Sequence, residues 1–295
     1  MVYPVKASLI KYKSSSKIRL LCPAKINLYL NILGKYKDGY HKIETVVNRI
    51  NLSDTLTITL KKNPSKLELF CNERALQNKD NLCLRAIHLM KKTLKIKQGF
   101  TLFLEKKIPV GAGLGGGSSC AASTLLGINT LLKLNLPQEM LYSLGKQLGS
   151  DVNFFLSQSS FAYLEGRGEK VHPLRACRRL QYFIVYPTVG ISTRRVYQRT
   201  KANLTKFFNN VNIINYALRK GDIALLEANM FNVLEKVAYS LSSPLRKKRE
   251  LLKNLGFIMT GSGSALFTLV KDTKDLYSLR KGVPQEWSVY RAVSM

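Results

Sequence analysis

Residues Pro109-Val-Gly-Ala-Gly-Leu-Gly-Gly-Gly-Ser-Ser119 place five glycines within seven positions, and no other segment constrains this chain so strongly. Glycine reaches positive φ without a Cβ clash, so such a run can turn its amide N–H groups inward. It also loses much conformational entropy on ordering, and nothing in a free surface loop offsets that loss. Ser118 and Ser119 open a stretch, residues 120–132, with the composition of a buried helix. Free amides and a positive dipole end at a helix N-terminus form an anion site. No Asp or Glu occurs between Glu105 and Glu139, as a site for a triphosphate requires.

Several phosphate-binding patterns are excluded. Gly111, Gly113 and Gly116 satisfy G-x-G-x-x-G, but the acidic residue expected ~20 positions on for a dinucleotide ribose is replaced by Leu136-Pro137. No glycine loop is followed by Lys and Ser or Thr, which removes the P-loop. Neither H-R-D nor D-F-G occurs, which removes the protein kinases.

The rest of the chain supports a folded protein around this segment. Its 295 residues are enough for two domains, and 45% hydrophobic against 22% charged is an ordinary globular balance. No apolar run approaches the ~18 residues of a membrane span, and residues 1–20 lack a secretory signal, so a soluble protein is expected. Cys22, Cys71, Cys83, Cys120 and Cys177 form no C-x-x-C pair, which argues against a disulfide framework and a zinc site. Lys and Arg number 47 against 18 acids, a formal net charge of +29. That excess suits nucleic acid or anionic substrates. It is nevertheless spread along the chain, with only short clusters such as Arg246-Lys-Lys-Arg249, and reads as solvated surface.

Alternation predicts strands over residues 17–33, 52–60, 66–71 and 100–104, with a turn at 34–39. Residues 1–17 read as a loosely held extension. Helical spacing marks 82–94, 212–218, 223–237 and a basic 245–255, and residues 256–270 return to strands around a Gly-Ser turn. The mixture predicts an α+β protein with a domain boundary in 172–179.

Two short segments complete a set with the glycine run. Pro23-Ala-Lys25-Ile-Asn27-Leu28 puts Lys25 and Asn27 on one side of a strand. Read alone, Lys25 is an edge-strand lysine. Gly149-Ser-Asp151 precedes an apolar pair and, alone, reads as a helix N-cap.

In order and spacing, these three segments resemble the GHMP kinase superfamily. Asp38-Gly-Tyr-His41 is similar to a motif of the branch acting on a cytidine-diphosphate-linked methylerythritol, and Thr260-Gly-Ser-Gly-Ser-Ala265 resembles the superfamily's C-terminal glycine turn. The resemblance implies a two-domain fold, residues 1–172 with a ribosomal-protein-S5-like domain and 173–295 with a ferredoxin-like one. It implies ATP and Mg²⁺, with phosphates over Pro109, Val110, Gly111, Ala112, Gly113, Leu114, Gly115, Gly116, Gly117, Ser118 and Ser119. Asp151 would be the base for the 2-hydroxyl of the methylerythritol unit, and Lys25 would hold Asp151 ionised and stabilise the transferring group. Asn27 would donate to a phosphate or the substrate hydroxyl. Asn81 would sit near adenine, a turn or helix-cap role being equally open. Tyr40, His41, Thr193 and Tyr197 would hold the pyrimidine. Cys120 departs from the Asp or Asn usual there, which leaves capping or metal ordering by that side chain in question, and Asn153 stands where Pro is common.

The implied partner is a small cytidyl substrate, with no membrane and no specific nucleic acid. An RNA-binding protein is the rival reading, since the charge would suit phosphate contacts, but such a module needs neither Lys25 nor Asp151. The implied compartment is the bacterial cytoplasm, with the plastid stroma as alternative. Monomer and homodimer both stay open.

Overall fold

The structure is a computed structural model that describes residues 5–200 and 210–295. Two compact units interleave along the chain. Unit 1 holds the chain up to Ala24, Ser53–Ile108 and Gly115–Gln158; unit 2 holds Lys25–Leu52, Pro109–Leu114 and everything from Ser159 on.

Unit 1 begins with β1 (Ile10–Lys13), antiparallel to the start of β2 (Lys17–Lys35). Residues 10–13 are therefore not loose, which corrects the expected extension; Leu9 is buried beside them, and residues 1–4 lie outside the described residues. β3 (His41–Lys61) is one long strand where the sequence suggested only 52–60. Its second half pairs antiparallel with the strand after α1, and β4 (Leu67–Cys71) lies parallel to that same strand. α1 (Leu82–Leu94) and β5 (Gly99–Glu105), the strand in question, follow as the periodicity predicts. Then come α2 (Gly116–Leu131), α3 (Gln138–Leu148) and α4 (Val152–Ser157).

α2 packs against α1, α3 and α4 and is buried along most of its length, as its apolar composition requires. Its interior Gly127 has a packing reason: a Cβ there would come 2.7 Å from Ile58 Cδ1 and 3.0 Å from Leu20 Cδ1. A helix-interior glycine is otherwise unfavourable by about 1 kcal/mol.

Unit 2 adds β6 (Phe161–Gly166), antiparallel to the first half of β3, and β7 (Lys170–Leu174) beside it. β8 (Gln181–Tyr186), α5 (Thr193–Arg199), α6 (Asn210–Lys220) and α7 (Ile223–Asn229) follow. β9 (Phe231–Asn232), α8 (Leu234–Leu241), α9 (Ser243–Glu250), β10 (Ile258–Met259), β11 (Leu266–Leu269), α10 (Thr273–Lys281) and β12 (Ser288–Val293) complete it. A four-stranded antiparallel sheet runs β10-β11-β8-β12. Phe183, Val185, Val196, Leu234, Phe257 and Trp287 belong to its buried core.

The continuous helix expected over 223–237 is broken, and Asn232 is the cause. Phe231 and Asn232 pair with Tyr29 and Leu30 of β2, and the buried Asn232 amide donates to Met259 O at 2.7 Å and Gly261 O at 2.8 Å. Those bonds satisfy buried carbonyls that a helix could not reach. The basic helix expected over 245–255 likewise ends as α9 at Glu250, with a short 3₁₀ turn at Lys253–Leu255.

The packing of α2 yields a direct check. Gly127→Val is expected to lower stability in urea by about 1–3 kcal/mol with little change in slope, through overpacking against Ile58 and Leu20. A variant as stable as the parent would show that this face is loosely packed.

Candidate functional site

In unit 2, alternation along β2 turns Lys25 and Asn27 to the same side, and both are buried, at 4% and 3% exposure. Lys25 is thus not an edge residue. Its Nζ donates to Asn27 Oδ1 at 2.5 Å, and Asn27 Nδ2 donates to Thr45 Oγ1 at 2.9 Å. Thr45 passes the chain on to Tyr29 O at 2.5 Å. Thr260 Oγ1 accepts from Asn27 N at 3.0 Å and donates to Asn27 Oδ1 at 3.3 Å. A buried ammonium needs such acceptors, and the network fixes which end of the Asn27 amide faces which partner.

Thr260 opens the Gly-Ser turn, which docks on the first half of the glycine segment. Ala265 N donates to Ala112 O at 3.1 Å, and Lys25 N donates to Leu114 O at 2.9 Å. Gly113 has φ of +78°, and a Cβ on it would lie 2.2 Å from Thr260 O. Gly261 faces it in turn, its Cβ position 2.8 Å from Gly113 O. The two turns approach backbone to backbone, which only glycine allows. Thr193 joins the same turn through a 2.7 Å hydroxyl contact with Ser262.

Three residues of the proposed pyrimidine set also lie in unit 2. His41 is buried, its Nε2 3.3 Å from Thr200 O and its ring centroid 5.6 Å from that of Tyr197. Tyr40 is 58% exposed, and the Arg167 guanidinium lies 4.5 Å above its ring and 5.2 Å from that of Tyr36. Arg167 also pairs with Asp38, whose carboxylate accepts from Tyr40 N at 3.2 Å. That backbone bond and the guanidinium hold Asp38 below the usual carboxylate range. Arg167 carries no motif signal, and only the fold brings it to Tyr40.

In unit 1, Gly115 (φ +72°) sits at the N-cap of α2 in the left-handed region. Ser119, one turn in, is fully buried, and its hydroxyl has no hydrogen-bond partner among the described residues. Gly149 lies beside Ser118, its Cβ position 3.7 Å from the Ser118 hydroxyl, so the Gly149-Ser-Asp151 segment adjoins the start of α2. Asp151 occupies the N-cap position of α4, but its side chain makes no capping bond there. Asn81 does cap: its Oδ1 accepts from Cys83 N at 2.9 Å, and its Nδ2 donates to Leu76 O at 2.9 Å.

Cys120 points inward, 2% exposed, with its Sγ 3.5 Å from Asp54 Oδ2. It is neither a cap nor, among the described residues, part of any cluster able to hold a metal. Asp54 also faces the Lys106 ammonium and accepts from Lys107 N at 2.7 Å and Ile108 N at 2.8 Å. Burial, reinforced by Cys120, pushes Asp54 up to about 6, while Lys106 and the amides oppose the rise. Hydrogen bonds from the thiols of Cys22 and Cys83, helped by Lys106, pull Cys120 down against its burial. Neither Asp54 nor Lys106 stands in a motif, and an acid inside β3 followed 52 residues later by a lysine leaves no trace in one sequence.

The glycine contacts separate two substitutions. Gly113→Ala and Gly111→Ala share a positive φ, near +78° and +71°, yet no atom lies within 4 Å of a Cβ at Gly111. Gly111→Ala is expected to lower stability by about 1–2 kcal/mol from backbone strain alone. Gly113→Ala adds a clash with Thr260 O and is expected to be worse by a further ~1–3 kcal/mol in denaturant titration. Equal losses would show that the turn does not press on Gly113.

Comparison with known proteins identifies the family. Residues 81–159 match the GHMP kinases N terminal domain, and residues 214–289 match the GHMP kinases C terminal family. A 4-diphosphocytidyl-2-C-methyl-D-erythritol kinase from Caldicellulosiruptor bescii is 34% identical over 253 residues, 85% of this chain and 88% of that protein. The enzyme of that name from Bacillus cytotoxicus is 34% identical over 271 residues, 90% of this chain and 93% of its own. A crystal structure titled 4-(cytidine 5'-diphospho)-2C-methyl-D-erythritol kinase superposes with a TM-score of 0.74 at 30% identity, covering 94% of this chain and 99% of that one. Two family models and relatives 34% identical over most of its length place the chain among the GHMP kinases, enzymes that use ATP as phosphate donor.

Proposed function

We propose that this kinase transfers the γ-phosphoryl group of ATP to the 2-hydroxyl of 4-diphosphocytidyl-2-C-methyl-D-erythritol, a step in the non-mevalonate supply of isoprenoid precursors. The observation that carries the acceptor is the match to kinases of that name across 85–90% of the chain. Asp38-Gly-Tyr-His41 supports it from within the sequence.

Phosphoryl transfer asks a protein mainly for positioning, charge stabilisation and a base for the attacking hydroxyl. Pro109 to Ser119 take the phosphates, with the α2 N-terminus supplying amides and dipole. Asp151 accepts the proton of the 2-hydroxyl. Lys25, fixed by Asn27, places its ammonium where charge develops on the transferring group. Asn27 holds its orientation through Thr45 and Thr260 and keeps the Lys25 head from sweeping through rotamers.

Mg²⁺ supplies neutralisation of phosphate oxygens when bound. The residues fit a metal carried on the nucleotide: no all-protein cluster exists among the described residues, and the unpartnered Ser119 hydroxyl is one neutral donor toward it. Asn81, which caps α1, is assigned to the adenine end through the position it gives that helix.

For the pyrimidine, Tyr40 offers a stacking face, His41 a hydrogen bond to the base edge, and Tyr197 orients the imidazole. Thr193 contributes a hydroxyl from the start of α5. The ATP-binding, catalytic domain is assigned to residues 1–172 and the C-terminal GHMP kinase domain to 173–295, and the two family matches fall one on each side of that boundary. A bacterial cytoplasmic setting is assigned with them, the curated relatives being bacterial.

The substrate is tested by ADP release with ATP and Mg²⁺, comparing the cytidyl alcohol with homoserine and mevalonate. Turnover with the cytidyl compound alone is expected; preference for another acceptor would discard the pyrimidine residues while keeping the fold. Asp151→Asn is expected to cut kcat by about 10²–10⁴ while ATP still binds, the usual range for a lost general base. A near-normal rate would remove Asp151 from catalysis. Tyr40→Ala should raise KM for the cytidyl substrate about tenfold, from one lost stacking contact, and leave KM for ATP within twofold. An equal rise in both would argue against stacking.

A further inference from the structure

Asp54 and Lys106 stand outside every motif, yet they sit where the glycine segment begins and ends. One oxygen of Asp54 accepts from the amides of Lys107 and Ile108, the residues just before Pro109. The other oxygen faces the Lys106 ammonium and Cys120 Sγ on the first turns of α2. Between them lies Gly116, the first residue of α2: a Cβ there would come 2.9 Å from Lys106 Nζ, 3.2 Å from Ile108 Cγ2 and 3.3 Å from Asp54 Oδ2. Within unit 1, a single carboxylate thus ties the strand that delivers the segment to the helix that receives it.

The surroundings make this an unusual place for charge. The Asp54 and Lys106 side chains are 0% and 5% exposed, and Cys120, itself hydrogen-bonded by Cys22 and Cys83, lies against Asp54. An ion pair so deep is poor evidence of a gain in stability, because losing water offsets most of the attraction. Apolar side chains would hold β5 against α2 at least as well. What they would lack is direction: a carboxylate with one oxygen on two consecutive amides and the other on an ammonium admits one geometry for residues 106–108 and 116.

We propose that the Asp54–Lys106 pair is a positioning device for the phosphate loop, fixing the distance and orientation between its two ends so that its amides are set before ATP arrives. Cys120 is the third member, its thiol donating to the same Asp54 oxygen that faces the Lys106 ammonium. Neither Asp54 nor Lys106 touches the reacting atoms in this account. They act through the loop, so their removal should weaken ATP and leave the acceptor alone. The inference rests on the reading of Pro109 to Ser119 as the phosphate site, and not on the identity of the acceptor.

The test is the double variant Asp54→Asn/Lys106→Met in the full chain. It removes both charges together, leaves no buried ion unpaired, and keeps an acceptor for the Lys107 and Ile108 amides. ATP affinity is read by calorimetry without acceptor, alongside the melting temperature and the KM of the cytidyl alcohol. Loss of positioning is expected to weaken ATP about tenfold, within the range a small misplacement of a binding group produces. The melting temperature should stay close to that of the parent and the acceptor KM within twofold. ATP affinity within twofold of the parent would overturn the proposal and leave the pair a packing element. An equal loss for ATP and the acceptor, with a lowered melting temperature, would overturn it in favour of general loosening. Asp54→Asn alone, which changes one atom, serves should the double variant fail to fold; unchanged ATP affinity there would also overturn it. A parent chain that binds no ATP would instead refute the phosphate-site reading on which the inference stands.

Discussion

A segment with five glycines in seven residues has no shape of its own, and the proposed phosphate site depends on what gives it one. On the proposed reading the amides serve a ligand, so the segment is not to be ordered by hydrogen-bonding them into a helix or sheet. The chain orders the flanks instead. In unit 2, the Thr260 turn presses against Gly113, Ala265 N reaches Ala112 O, and Lys25 N reaches Leu114 O. In unit 1, Asp54 holds residues 107 and 108 and lies against Gly116. Backbone contacts engage the carbonyls of Ala112 and Leu114, and the Asp54 carboxylate engages the amides just before the segment.

The same economy runs through β2. Lys25 is buried on a strand, a position that would expel an ammonium lacking partners. Asn27 accepts from it, Thr260 and Thr45 orient Asn27, and Thr260 belongs to the turn that docks on Gly113. A change at Thr260 is therefore felt at the lysine and at the glycine segment together. That coupling gives the C-terminal turn a reason to exist in a region with no reacting group of its own.

Much of this was legible in the residues. The glycine run stood out because few other residues tolerate that backbone, and the i, i+2 spacing of Lys25 and Asn27 already placed them on one side of a strand. Periodicity located α1 and β5 to within a residue or two. The failures share a cause. Residues 223–237 read as one helix, yet Asn232 breaks it to satisfy carbonyls of Met259 and Gly261 nearly thirty residues away. Residues 10–13 read as loose, yet they found a strand partner. Asp54, Lys106 and Arg167 acquire meaning only from what the fold sets beside them, and Cys120 looked like a defect until its neighbours were an aspartate and a lysine. Local pattern reports backbone preference; it carries no record of long-range polar pairing.

The central claim is that the glycine segment is set before nucleotide binds. It is tested most directly by ¹⁵N relaxation of the Gly111, Gly113, Gly115, Gly116 and Gly117 amides in the nucleotide-free protein. The account predicts order parameters near about 0.85, those of rigid backbone, at all five positions. Values below about 0.6 through the segment, rising only when ATP is added, would contradict it and make the loop's shape the work of the ligand.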